Sequence, residues 1–314
     1  MPKTPQTNGQ RKLRYIELFA GIGGFGLALN RQGHTCVYAN EWDKYAAQTY
    51  EKNFGHKPDT NDIKDIESNN IPDHDLLLGG FPCQSFSVAG KRGGFNDTRG
   101  TLFFEIARIL KDKRPTYLLL ENVKGLLSHD NGRTFQTIMR TLDELGYDLQ
   151  WQVLNSKNFG VPQNRERVFI IGHLRGESRP KIFPIRKDDE IPSKRQRQIS
   201  PTITQRYYKQ GQSDRYIAVE KPVAIPVLTP DRIKKRQNGR RFKKDGEPSF
   251  TLTGQDKHGI MINDMKIRRL TPLECERLQG FPDGWTEGVS DTQRYKQLGN
   301  AVTVNVVEEI VKRL

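Results

Sequence analysis

Between residues 14 and 174 the chain alternates short apolar runs with stretches whose apolar positions recur every three or four residues. RYIELFAG, HTCVYANE, HDLLLGG and PTYLLLENV are runs bounded by turn residues, the pattern of buried strands. GFGLALNRQG, DKYAAQTYEKNFG, LFFEIARILKDK and TFQTIMRTLDELG lie between them and read as helices, three of the four closing at a glycine. Strand–helix alternation predicts an α/β fold with a mainly parallel sheet covered by helices on both faces. DLQWQVLNS and RVFIIGHL extend that sheet as an antiparallel edge.

The rhythm stops near Arg179. From there to about Lys266, proline, glutamine and basic residues dominate, and YIAVEKPVAI and SFTLTG read as small strands between long loops. Helical spacing returns in RLTPLECERLQGF, where Thr271 suits an N-cap, Pro272 the first helical position and Glu274 the far side of a capping box. NVVEEIVKRL carries Val306, Val307, Ile310, Val311 and Leu314 on one helical face, which is expected to pack back on the first domain. The chain thus divides into a tail, 1–12, a first domain, 13–178, a smaller second domain, 179–265, and a return segment, 266–314, that completes the first.

Charge sharpens this division. The 314 residues carry a formal charge of +14, but residues 179–247 hold 19 Lys and Arg against 8 Asp and Glu, so +11 falls there. A polyanionic partner accounts for such a concentration, because each cation facing a phosphate releases a counterion. No apolar run approaches a membrane span, and the N-terminus is polar and basic with no signal-peptide core. The three cysteines, Cys36, Cys83 and Cys275, are scattered; they form neither a disulfide framework nor a zinc-ligand pattern, so reduced thiols and no metal are expected.

Chemistry collects where predicted strands end. ELFAGIGGFG places Gly21, Gly23 and Gly26 at the junction of the first strand and first helix, the G-x-G-x-x-G spacing that lets backbone approach a nucleotide-like cofactor. Glu41, at the end of the second strand, can accept hydrogen bonds from ribose hydroxyls. The spacing fits NAD, FAD or S-adenosylmethionine alike. Cys83 follows Pro82 at the end of the third strand, before a loop rich in glycine that is suited to act as a lid. Glu121 lies on the same rim one strand later, so a nucleophile and an acid are placed side by side. In QNRERVFIIG, Arg165 and Arg167 stand two residues apart and share a strand face. Two cations there favour a thiolate, or clamp a phosphate or an exocyclic oxygen.

Taken in order, FAGIGG, PCQ, ENV, QNRER, RRLTPLECERLQGFP and YKQLGNAVTVNVV resemble the motifs of DNA cytosine-5 methyltransferases of the bacterial restriction–modification type. The resemblance covers residues 14–178 and 266–314 and leaves 179–265 in the place of that family's variable target-recognition region. It implies a Rossmann-like S-adenosylmethionine-dependent catalytic domain, double-stranded DNA as substrate, and base flipping. It implies that Cys83 adds to C6 of cytosine, that Glu121 engages N3 and the exocyclic amine, and that Arg165 contacts the O2 carbonyl, with Arg167 beside it. For the cofactor it implies Phe19, Asp62 and Ile63 at the adenine, Glu41 on the ribose with Trp42 packed beside it, and Gly21 and Gly23 at the methionine portion. Pro82, Leu102, Asn300 and Val302 complete that pocket.

Reduced thiols suit a cytoplasmic, DNA-associated enzyme, and a monomer is expected because one flipped base needs only one active site; the compact chain resembles the modification half of a restriction–modification pair with a cognate endonuclease as genetic partner, and an orphan or phage enzyme would look the same. An RNA (tRNA) cytosine-5 enzyme and an inactive DNA-binding relative share these motifs. An amino-nitrogen methyltransferase does not, since the chain lacks its Asp/Asn-Pro-Pro-aromatic acceptor motif. A nicotinamide oxidoreductase leaves PCQ, ENV and QNRER unexplained. For target reading, Arg232, Lys234, Lys235, Arg240, Arg241 and the segment SFTLTGQ are the candidates.

Overall fold

Six strands form one sheet in the order β2-β1-β3-β4-β6-β5 in the computed structural model, which describes residues 12–82, 102–177, 180–185, 224–230, 240–254, 257–262 and 266–314. β1 (Arg14–Leu18), β2 (Thr35–Asn40), β3 (Leu76–Gly80) and β4 (Tyr117–Val123) are mutually parallel. β6 (Glu166–Leu174) runs against both β4 and β5 (Tyr147–Asn155). The antiparallel strand therefore lies inside the sheet, and the edge belongs to β5, which points the same way as β1–β4.

Strand alternation divides the core. Leu76, Leu78 and Leu119 face a cluster containing Phe25 of α1 (Gly24–Asn30) and Val307 and Ile310 of α7 (Val304–Val311). Leu77, Leu118 and Leu120 face a cluster with Phe103 and Ile106 of α3 (Leu102–Lys113) and Ile138 of α4 (Arg133–Glu144). Both faces of the central strands are thus covered, which is why those strands read as unbroken apolar runs. α7 returns to the first domain as its stripe requires, and Glu308 on it accepts from Arg31 at 2.6 Å.

The ends of the helices follow local chemistry. α2 (Lys44–Phe54) is capped by Asp43, whose carboxylate accepts from the Tyr45 and Ala46 amides, and it stops at Gly55 in the left-handed conformation. α5 (Pro272–Gln279) carries the full capping box of Thr271 and Glu274 with proline in the first turn. α6 (Asp291–Asn300) has no apolar stripe to announce it; Gln297, Leu298 and Gly299 alone are buried.

Where α5 packs against α6, Glu276 of α5 is completely buried. Its carboxylate accepts from the Gly284 and Thr286 amides and from the Thr286 hydroxyl, and pairs with Arg294 at 3.2 Å. Removing one partner of a buried pair leaves the other uncompensated. Glu276→Ala is expected to lower unfolding free energy by about 3–5 kcal/mol in urea denaturation. A change under about 1 kcal/mol would mean that the Arg294 side chain regains water at little cost.

The small lobe differs from its reading. β7 (Ala224–Leu228), β8 (His258–Ile262) and β9 (Lys266–Arg269) form an antiparallel sheet. Of YIAVEKPVAI, only Ala224 and Ile225 are among the described residues, and they open β7. SFTLTG is not a strand of this sheet. It lies along residues 162–165 instead, with a single bridge from Ser249 to Gln163.

Candidate active site

The parallel strands end on one rim, and there a cleft of about 1080 Å³ opens. Because β6 is antiparallel, its beginning reaches the same rim as the ends of β1–β4. Residues from 19 to 302 meet at that rim.

One end of the cleft is the turn from β1 into α1. Phe19, Gly21 and Gly23 all have φ in the left-handed region, at 56°, 57° and 80°. At Gly23 a Cβ would also stand 2.1 Å from the Phe54 ring, so the site excludes any side chain on two grounds. At Gly26 a Cβ would stand 2.7 Å from Glu17 Oε2, the atom that accepts the Gly26 amide. The glycine spacing thus serves helix–strand packing as well as approach by a ligand. Of the three, Gly21 lines the cleft, whereas Gly23 is turned behind it against Phe54.

Glu41 follows β2. Its Oε2 accepts from the Gly21 amide at 2.7 Å and its Oε1 from the Asp43 amide at 2.8 Å. Burial pushes its pKa up, and the two backbone bonds work against that shift. Trp42 beside it is 73% exposed, a large apolar surface at the mouth of a cleft. Phe19, Asp62, Ile63, Pro82, Leu102, Asn300 and Val302 line the same cleft. Sequence reading missed Lys296 on this rim. It pairs with Asp43 at 2.7 Å and ties α6 to the start of α2.

The other end is built on β4 and β6. Val123 stands opposite Arg167 and Glu121 opposite Phe169, so Glu121 and Arg167 are diagonal neighbours on one face. Glu121 Oε1 lies 3.1 Å from Arg167 Nε, both side chains being mostly shielded. Asn122 donates from Nδ2 to the Phe81 carbonyl at 2.8 Å, fixing the chain one residue before Pro82. Asn122 was also missed, although it stands inside the ENV motif. Cys83 is the next residue after Pro82; it and the loop to Gly100 lie outside the described residues, as do Arg232, Lys234 and Lys235. In the small lobe, Arg240 pairs with Glu247 at 2.6 Å, and Arg241 lies over the Phe242 ring at 5.3 Å.

Arg165 does not behave as its reading required. It is 2% exposed. Nη1 donates to the Leu252 and Gly299 carbonyls at 2.9 and 3.2 Å, and Nη2 to the Gly299 and Ala301 carbonyls at 3.2 and 2.8 Å. Burial pushes its pKa down to about 9, with the charge of Arg167 adding to the shift and Glu121 opposing it. Both terminal nitrogens are engaged by backbone, so of its donors only Nε is without a partner, although Arg165 lines the cleft. Arg167 lines the same cleft, paired with Glu121.

Among the described residues no group of three His, Cys, Asp or Glu side chains could hold a metal ion, and no helix is long and apolar enough to cross a membrane.

A model of the C-5 cytosine-specific DNA methylase family matches residues 13–314. The chain is similar to the Type II methyltransferase M.HhaI of Haemophilus parahaemolyticus, at 40% identity over 308 residues that cover 95% of this chain and 93% of that one. It is similar also to the orphan methyltransferase M.SPRI of Bacillus phage SPR, at 36% identity, covering 96% of this chain and 97% of that one. Among solved structures, a DNMT2 of Spodoptera frugiperda shares the fold, with a TM-score of 0.68 at 22% identity over 95% of this chain and 98% of that one.

Proposed function

The chain belongs to the C-5 cytosine-specific DNA methylase family and is a DNA (cytosine-5)-methyltransferase, and we propose that it methylates a flipped-out cytosine through a covalent bond between Cys83 and C6. The observation that carries this reading is the junction at one cleft of two unlike ends. One is the Glu121–Arg167 pair beside the Pro82 stub, and the other is the glycine turn with Glu41.

C5 of cytosine is a poor nucleophile. Addition of a thiolate at C6 moves electron density to C5 and N3, making C5 enamine-like. Cys83 supplies the thiolate, and Arg167 nearby offers positive charge toward the base carbonyl. Glu121, ion-paired with Arg167 before the base arrives, takes up a proton from solvent as the base binds; it then hydrogen-bonds N3 and delivers that proton there as charge builds, and its second oxygen accepts from the exocyclic amine. After transfer a base, for which water in the cleft suffices, takes the C5 proton, the Cys83–C6 bond breaks to return the thiolate, and N3 gives its proton back to Glu121. These atoms are out of reach inside a stacked duplex, so the base leaves the helix to react.

The cofactor is S-adenosylmethionine, which when bound supplies an electrophilic methyl group. The other end of the cleft fits it. Glu41 is 8% exposed, and each of its oxygens takes one amide and retains a lone pair for a ribose hydroxyl. Trp42 offers a flat apolar face, and the turn from Phe19 to Gly23 brings backbone to the ligand. Phe19, Asp62 and Ile63 hold the adenine end, while Gly21, Pro82, Leu102, Asn300 and Val302 enclose the remainder.

Residues 179–265, which hold most of the positive charge, read the target in double-stranded DNA. The enzyme acts as a monomer and protects DNA in a restriction–modification pair, its endonuclease a genetic partner. Bisulfite sequencing of DNA from cells expressing the protein is expected to show protected cytosines at one short motif. Unprotected DNA from cells containing soluble protein would overturn the reading and direct the assay to tRNA.

A further inference from the structure

Arg165 is the largest fully buried side chain among the described residues, and it holds two stretches of chain distant in sequence. Leu252 belongs to the segment of the small lobe that lies along residues 162–165. Gly299 and Ala301 flank the end of α6, and with Asn300 and Val302 they form one wall of the cleft. The α6 terminus exposes carbonyls that have no partner within the helix, so a buried cation suits them.

The neighbours of Arg165 tighten this joint. Gln163 Oε1 accepts the Leu252 amide at 3.0 Å, so both polar backbone atoms of Leu252 are held by the QNRER segment. Gln163 Nε2 donates to Leu278 at 2.8 Å, and Gln279 Nε2 donates to Leu298 at 2.6 Å. The two backbones meet without room for a methyl group: a Cβ at Gly299 would stand 2.3 Å from the Thr253 carbonyl carbon and from the Gly254 amide.

We propose that Arg165 is a positioning residue that couples the two ligands: by holding Leu252 and the Gly299–Ala301 wall together, it makes filling of the cleft and engagement of DNA reinforce each other. The inference rests on the reading of the cleft as an S-adenosylmethionine site and of the small lobe as the DNA reader. Filling the cleft steadies the wall at Asn300 and Val302. The wall fixes the guanidinium, and the guanidinium fixes Leu252, so the small lobe meets DNA with part of its ordering cost already met.

Binding of S-adenosylhomocysteine is measured by calorimetry with and without a duplex carrying the motif recovered by bisulfite sequencing. For the wild type, DNA is expected to tighten that binding about tenfold. Arg165→Lys keeps the charge, but its ammonium ends about one bond short of Nη1, the atom that bridges Leu252 and Gly299, and it has no counterpart of Nη2 on Gly299 and Ala301, so the enhancement falls below about twofold while each ligand alone binds within about threefold of wild type. General structural damage would weaken the single-ligand affinities instead. An enhancement that survives in Arg165→Lys, or is absent in the wild type, overturns the joint.

If the variant does not fold, hydrogen exchange in the wild type decides. S-adenosylhomocysteine alone is expected to slow exchange in a peptide spanning 249–254 by about tenfold, and unchanged exchange there would refute the coupling. A wild type that binds neither ligand alone brings down the underlying reading, and the coupling with it.

Discussion

Cys83→Ser is expected to lower single-turnover methylation by at least about a thousandfold while S-adenosylhomocysteine binds as in the wild type. A serine hydroxyl is scarcely ionised near neutral pH and adds poorly to a conjugated carbon. The cofactor end of the cleft is assembled from the β1 turn, Glu41, Trp42 and the wall at Asn300, none of which needs a thiol. The chain before Cys83 is held by Asn122 at the Phe81 carbonyl, a bond the substitution does not touch. A duplex with 5-fluorocytosine at the target gives the complementary readout. Fluorine at C5 cannot leave as a proton does, so the Cys83–C6 bond persists and slows the protein on a denaturing gel. The wild type is expected to shift and Cys83→Ser to run free. Normal turnover in the variant would remove the thiolate from the mechanism, and loss of cofactor binding as well would make Cys83 structural.

What was legible in the chain, and what was not, divides along the range of the forces involved. The strands β1–β4 and helices α1–α4 announce themselves because the core clusters on the two sheet faces impose apolar runs on the strands and a stripe on each helix. Thr271, Pro272 and Glu274 foretell their cap because its bonds span three residues. α6 is held by Gln279 and Thr49, which bond its Leu298 carbonyl and Gln297 side chain, so its own sequence is uninformative. β8 and β9 are short, β8 is only partly buried, and nothing local distinguishes HGIMI from a loop.

The site shows the same division. The placement of Gly21, Glu41 and Glu121 on one rim is foretold by their standing at strand ends. The different surroundings of Arg165 and Arg167 are not, because a period of two assumes a strand that begins before both, and β6 begins at Glu166. The partners that define Arg165 are 87 to 136 residues away. Only the folded chain brings those carbonyls to it.

Glu121→Gln is expected to reduce the single-turnover rate about 10²- to 10⁴-fold with DNA affinity kept within about threefold. Glutamine preserves shape and can hydrogen-bond N3, but it has no proton to deliver as charge develops there. It also leaves Arg167 without its carboxylate in a shielded place, where the remaining bond is to the Glu166 carbonyl at 2.8 Å. The hydrogen bond to the bound base is therefore largely retained, whereas the proton donation that stabilises the transition state is abolished, which separates rate from affinity. Glu121→Ala removes both and is expected to weaken DNA binding as well. If Glu121→Gln weakened DNA tenfold at an unchanged rate, the carboxylate would be a binding group only, and the proton at N3 would have to come from water admitted to the cleft. The diagonal pairing of β4 with an antiparallel β6 sets the carboxylate beside a guanidinium at the rim, 12% and 15% exposed respectively, which favours its ionised form, so the proton it delivers is one taken up as the base binds.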